Sequence, residues 1–102
     1  MVLLDEGVYL DEDCKRKIDK IKEALNTTKI LLNVYVIALA SNTNEQLDIF
    51  SYPMFQIEKR NRDRIVVVGV ARGRDSAMEL VSKMSQDAVK SFGKCDIRAL
   101  FD

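Results

Sequence analysis

Residues 65–80 read IVVVGVARGRDSAMEL, and the fold turns on how this stretch is divided. Residues 65–71 are an unbroken apolar run, rich in β-branched side chains, the pattern of a central strand covered on both faces. Ser76-Ala77-Met78-Glu79 matches a capping box, with Ser76 as N-cap and Glu79 reaching back. Ala77, Leu80, Val81, Met84, Ala88 and Phe92 then recur on one helical face, and Gly93 is placed to end the helix. A strand, a tight corner and an amphipathic helix are therefore predicted.

The corner carries Gly69, Gly73, Arg72 and Arg74, the raw material of an anion cradle at a helix N-terminus. It lacks the lysine of the Walker pattern, the Gly-x-Gly-x-x-Gly of the dinucleotide pattern is absent, and Asp75 puts a negative charge where an anion would sit. A structural corner explains more: Gly69 lies within the strand and Gly73 takes the unusual dihedral. Arg72, Gly73, Arg74 and Ser76 stay as candidates for a weaker anion site.

Upstream, Asp11-Glu12-Asp13 supplies an N-cap and an acidic first turn. Cys14, Ile18, Ile21 and Leu25 follow at helical spacing, with Lys15, Arg16, Lys17, Lys20 and Lys22 elsewhere on the cylinder. Before this helix, Val8-Tyr9-Leu10 reads as an edge strand. Residues 30–40, ILLNVYVIALA, are apolar apart from Asn33 and predict a second central strand; residues 41–44 predict a turn. Residues 47–52 alternate as a strand would, until Pro53, which points to an edge or a bulge. Cys95, Ile97, Ala99 and Phe101 alternate with Asp96, Arg98, Leu100 and Asp102, which predicts a half-buried terminal strand over 95–102.

Two helices with one apolar stripe each are expected on one face of a single sheet. The predicted fold is one α+β domain over residues 1–102, a two-layer sandwich with a four- to five-stranded, mainly antiparallel sheet. Its order is ferredoxin-like βαββαβ if residues 47–59 are an arm or added edge. If the N-terminal strand is false and residues 47–57 are a true strand, it becomes αβββαβ, an order shared with the restriction-endonuclease core.

Composition narrows the function. The chain has 102 residues, 47% hydrophobic and 31% charged, with sixteen bases against sixteen acids. That is an ordinary globular domain, able to bury roughly 60–70% of its unfolded surface. Zero net charge gives no global pull toward nucleic acid or an anionic membrane. Histidine is absent, which excludes Ser-His and Cys-His nucleophile pairs and histidine metal sites. Cys14 and Cys95, far apart in sequence, predict two reduced thiols and a cytoplasmic setting. The acidic N-terminus does not read as a signal peptide. The longest apolar run has 11 residues, against about 20 for a membrane-spanning helix.

Three further clusters can be weighed. Lys59, Arg60, Arg62 and Arg64 form a basic connection, but about 26 Å of strand separates Arg64 from Arg72, so one nucleic-acid patch is not expected. Asp48 with Glu58-Lys59 is close to the acid and acid-x-lysine signature of metal-dependent nucleases. Adjacent strand residues face opposite ways, however, and the residue two after Glu58 is Arg60, which does not release its proton. Phe50, Tyr52, Met54 and Phe55 gather aromatic and apolar side chains around Pro53, and are the candidate partner surface.

No motif is specific enough to name a family. The expectation is a small, non-catalytic binding or regulatory domain without cofactor or metal, self-associating as a dimer or docking a protein partner through residues 47–57. The alternatives are a domain holding an anionic metabolite at 72–76 and, last, a nucleic-acid-associated protein.

Overall fold

A computed structural model describes residues 1–27, 31–41 and 45–101. The elements are β1 (Val2–Leu10), α1 (Glu12–Arg16), α2 (Ile18–Leu25), β2 (Val34–Leu39), β3 (Leu47–Ser51), α3 (Tyr52–Asn61), β4 (Ile65–Arg72) and α4 (Arg74–Phe92), followed by a 3₁₀ turn, Arg98–Phe101. The strands form one mixed sheet in the order β1-β4-β2-β3. β1 runs parallel to β4, and β2 runs antiparallel to both β4 and β3.

The predicted central strand is central: β4 is buried from Val67 to Ala71. Its side chains feed two cores. Val67 and Val70 join Cys14, Ile21, Leu25, Tyr52 and Phe55 on one face, beneath α1, α2 and α3. Val68 and Ala71 join Ala77, Leu80, Met84, Ala88 and Ile97 on the other, beneath α4. The chain is thus α+β with a four-stranded mixed sheet and, among the described residues, four α-helices. The two-layer, ferredoxin-like arrangement is not what forms, nor is αβββαβ: helices cover both faces, and β1 is a real strand at the sheet edge. A strand apolar on both sides needs cover on both sides, and α4 supplies the second layer.

Gly69 sits where that layer comes closest. A Cβ built there would lie 2.9 Å from Met84 Cε and 3.0 Å from Ile37 Cδ1. The glycine lets the helix approach the strand. Gly73 has φ +92° and acts as the N-cap of α4, its carbonyl accepting from Ala77 N at 3.1 Å. Ser76 therefore lies inside the helix, and the expected capping box does not form. Gly93 ends α4 in the left-handed region (φ +74°), its N–H donating to Val89 O, as its position predicts.

Three other differences have specific causes. Asn33 adopts φ +56°, which asparagine tolerates better than most residues, so the apolar run 31–40 turns before β2 starts at Val34. Pro53 opens α3 instead of breaking a strand; its fixed φ and missing N–H suit a first helical turn. The alternating segment 95–101 makes no strand. Gln46 reaches across to it, donating to Cys95 O at 3.0 Å and accepting from Ile97 N, and the last residues close a 3₁₀ turn. The expected turn residues 42–44, and residues 28–30 and 102, lie outside the described residues.

α3 also finishes α2. Tyr52 Oη donates to Ala24 O at 2.9 Å, and Lys59 Nζ donates to Leu25 O at 3.1 Å and Thr27 O at 2.6 Å. These donors meet carbonyls that a helix end leaves without intrahelical partners. Burial, then the neighbouring Arg60, draws the Lys59 pKa below its ordinary value.

Candidate ligand-binding site

β1 and β4 are parallel, so Leu10 and Arg72 lie at the same end of the sheet. From there the chain leaves in opposite directions. After β1 it enters α1 on one face, and after β4 it enters α4 on the other. In open α/β sheets, such a divergence leaves a crevice at the carboxyl ends of the strands, where ligands commonly bind.

Asp11 spans that crevice. Its Oδ1 accepts from Cys14 N at 2.9 Å, capping α1, and its Oδ2 accepts from Arg72 N at 2.7 Å. Burial alone would raise the Asp11 pKa, but the hydrogen bonds from Arg72 and Cys14 outweigh it and hold the carboxyl below its ordinary value. Gly73 N donates to Asn33 O at 2.7 Å. Two amides of the glycine corner are therefore spent within the protein.

Beside the crevice, on the α1–α2 face, a cleft of about 260 Å³ opens between α2, the start of β2 and the end of β4. Ile21, Leu31, Leu32 and Val34 make its apolar side, and Lys17, Lys20 and Arg72 bring three cations. Among the described residues, Asp13 is the one carboxylate in the lining, and it is ion-paired with Arg16. Lys17 marks the break between α1 and α2, and Lys20 follows one turn later. The arrangement suits a small molecule with an apolar body and an anionic head.

The anion candidates from the sequence separate. Arg72 faces this cleft, whereas Arg74 lies on the other face of the sheet beside Tyr35, Ile49 and Met78. Ser76 is half-buried in the first turn of α4. Of the partner-surface candidates, Tyr52 and Phe55 are core residues, 1% and 0% exposed. They cannot be a surface in this fold, because α3 turns them onto the sheet. Phe50 is half-buried against the same core, and Met54 is exposed. The exposed apolar side chains of the region are Ile49, Met54 and Ile57.

Sequence reasoning missed Lys17 and Lys20 as partners of Arg72, because on one helix they resemble any solvated face. Only the fold brings residue 72 to them. Asp11 was legible as a cap, but its second bond depends on the parallel pairing of β1 with β4.

Cys14 is buried, and burial, Asp11 and Asp13 push its thiol up to about 12, so it stays protonated and unreactive. Tyr9 is likewise pushed up to about 12, by burial and by donating to Asp87 Oδ2. Among the described residues, no group of three or more acidic, cysteine or histidine side chains is placed to hold a metal ion, and no helix is long and apolar enough to cross a membrane.

Compared with known proteins, the chain matches no family model, no curated protein and no solved structure.

Proposed function

We propose that this chain is a non-catalytic binding domain that holds a small amphipathic anion in the cleft of Lys17, Lys20 and Arg72. One observation carries the reading: among the described residues, three cations flank an apolar wall, and the only carboxylate of the lining is already paired with Arg16. The volume, about 260 Å³, falls just below the usual range for drug-sized ligands and favours a short-chain or single-ring carboxylate. Its head would meet Lys17, Lys20 and Arg72, and its body would lie on Ile21, Leu31 and Val34. Calorimetric titration with octanoate tests this. Binding should weaken at least about tenfold in the Lys17→Gln/Lys20→Gln variant, since each 1.4 kcal/mol of lost charge interaction is a factor of ten. Octanoate that does not bind, or binds the variant equally, overturns the reading.

A second reading, self-association, is favoured by the outer edge of the sheet. β3 is hydrogen-bonded to β2 on one side only, and Ile49, on it, is 39% exposed beside Met78. A second copy pairing edge to edge would cover both. Sedimentation at micromolar concentration tests it; a monomer rejects it.

A further inference from the structure

At the opposite end of the sheet, a cleft of about 460 Å³ gathers three guanidinium groups: Arg62 from the end of α3, Arg64 ahead of β4 and Arg98 from the 3₁₀ turn. Two are held in place by consecutive carbonyls at the end of β2. Arg62 Nη2 donates to Leu39 O at 3.3 Å and Arg98 Nη1 to Ala40 O at 2.8 Å. Arg62 also meets Asp48 at 3.4 Å, and its side chain is only 14% exposed. Arg64 makes no hydrogen bond or ion pair among the described residues. Among the described residues, the one carboxylate in the lining, Asp5, accepts from Gly7 N. Val66 and Phe101 add an apolar side.

Three like charges brought together from separate elements repel one another unless an anion sits among them. Asp48 offsets part of Arg62, and Asp5 adds one negative charge to the lining. Arg64 and Arg98 keep most of their donors free. Guanidinium groups bind phosphate in bidentate fashion, and anchoring on carbonyls fixes their planes in advance. We infer that this cleft binds the phosphate group of a small phosphorylated molecule. Arg64 and Arg98 contact the phosphate, Arg62 is fixed behind them, and the organic part rests on Val66 and Phe101.

This site is independent of the carboxylate cleft, since Arg72 pairs in register with Val34 at one end of β2 while Leu39 and Ala40 lie at the other. The probe is pyrophosphate, titrated calorimetrically into the full chain at low ionic strength, with citrate as the carboxylate comparison. Pyrophosphate should bind, citrate should bind much more weakly, and Arg64→Gln should weaken pyrophosphate at least about tenfold. Arg64→Gln is the decisive variant because it removes no internal bond. Arg98→Gln should act in the same direction, with its fold checked by circular dichroism. Lys17→Gln/Lys20→Gln should leave pyrophosphate binding unchanged, which separates this site from the other. Absence of pyrophosphate binding, equal binding of citrate, or an unaltered Arg64→Gln variant overturns the assignment.

Discussion

The carboxylate of Asp11 ties two strands' exits together, accepting from Arg72 N at 2.7 Å with one oxygen while the other caps α1. A single side chain thus fixes the end of β4, the start of α1 and the width of the crevice between them. Asp11→Ala should cost about 1–2 kcal/mol, a lost cap plus a lost bond to a partly exposed amide. The pH dependence has a definite sign. Hydrogen bonding holds the folded Asp11 pKa below 3.8, so its stabilisation is present above the unfolded value and is lost as pH falls through the folded one. The stability gap between native chain and Asp11→Ala, measured by urea unfolding, should be full at pH 7 and should close in strong acid. A gap independent of pH would mean that the ionised carboxylate is not what stabilises.

Gly69 and Met84 form a second coupled pair. A methyl at position 69 would press on Met84 Cε and on Ile37, so Gly69→Ala should cost about 1–3 kcal/mol by overpacking. Met84→Ala, which empties a fully buried position, should cost about 2–5 kcal/mol. The double variant should cost clearly less than the sum, because the new methyl occupies part of the space the methionine leaves. Additive costs would mean the two positions do not touch.

The start of α4 offers a contrast. Gly73, with φ +92°, should lose about 1–3 kcal/mol on replacement by alanine, since an L side chain is strained there. Ser76 makes no cap bond in this fold, so Ser76→Ala should stay within about 0.5 kcal/mol of the native chain. A loss near 1 kcal/mol at Ser76 would restore the capping box read from the sequence.

Tyr52 joins α3 to the end of α2 through its hydroxyl, 2.9 Å from Ala24 O. Tyr52→Phe keeps the ring in the core and removes that donor. It should cost about 1–2 kcal/mol, because the hydroxyl and its carbonyl partner are buried together. A neutral Tyr52→Phe would mean that Thr27, whose N–H and Oγ1 also donate to Ala24 O, satisfies the carbonyl unaided.

What the sequence revealed follows from which forces act locally. The run 65–71, the stripe Leu80-Met84-Ala88 and the caps at Asp11 and Gly93 depend on neighbours within a few residues, and each is where the pattern puts it. The run 65–71 reads as covered on both faces, which conflicts with two helices on one face. Val67 and Val70 against Val68 and Ala71 already demanded two covers, which one layer of helices cannot supply. The segment after residue 47 misled because its aromatics fit a surface as readily as a core, and because Pro53 is as good a helix opener as a strand breaker. The alternation at 95–101 failed for a tertiary reason: Gln46 claims the backbone there before any strand can. Both charged clefts join residues far apart in sequence, Lys17 with Arg72 and Arg64 with Arg98, so no linear motif could have announced them.

The edge strand β3 gives the last prediction. Phe55 is fully buried, so truncating it would unfold the chain and say nothing about association. Ile49 is the informative position. It pairs with Ile37 across β2 and lies beside Tyr35, Arg74 and Met78 in an uncovered groove of about 320 Å³. An antiparallel partner crossing at Ile49 would place it opposite its own copy. Ile49→Asp would then set two carboxylates against each other at the centre of the interface, where like charges are strongly unfavourable. Since Ile49 is 39% exposed, the same change should cost the monomer little, roughly 0.5 kcal/mol plus some strand propensity. The expected outcome is a native dimer in sedimentation at micromolar concentration and an Ile49→Asp monomer with nearly native thermal stability. A native monomer rejects association outright. A dimer that survives Ile49→Asp removes β3 from the interface and leaves Met54 and Ile57 on α3 as the apolar surface to be tested next.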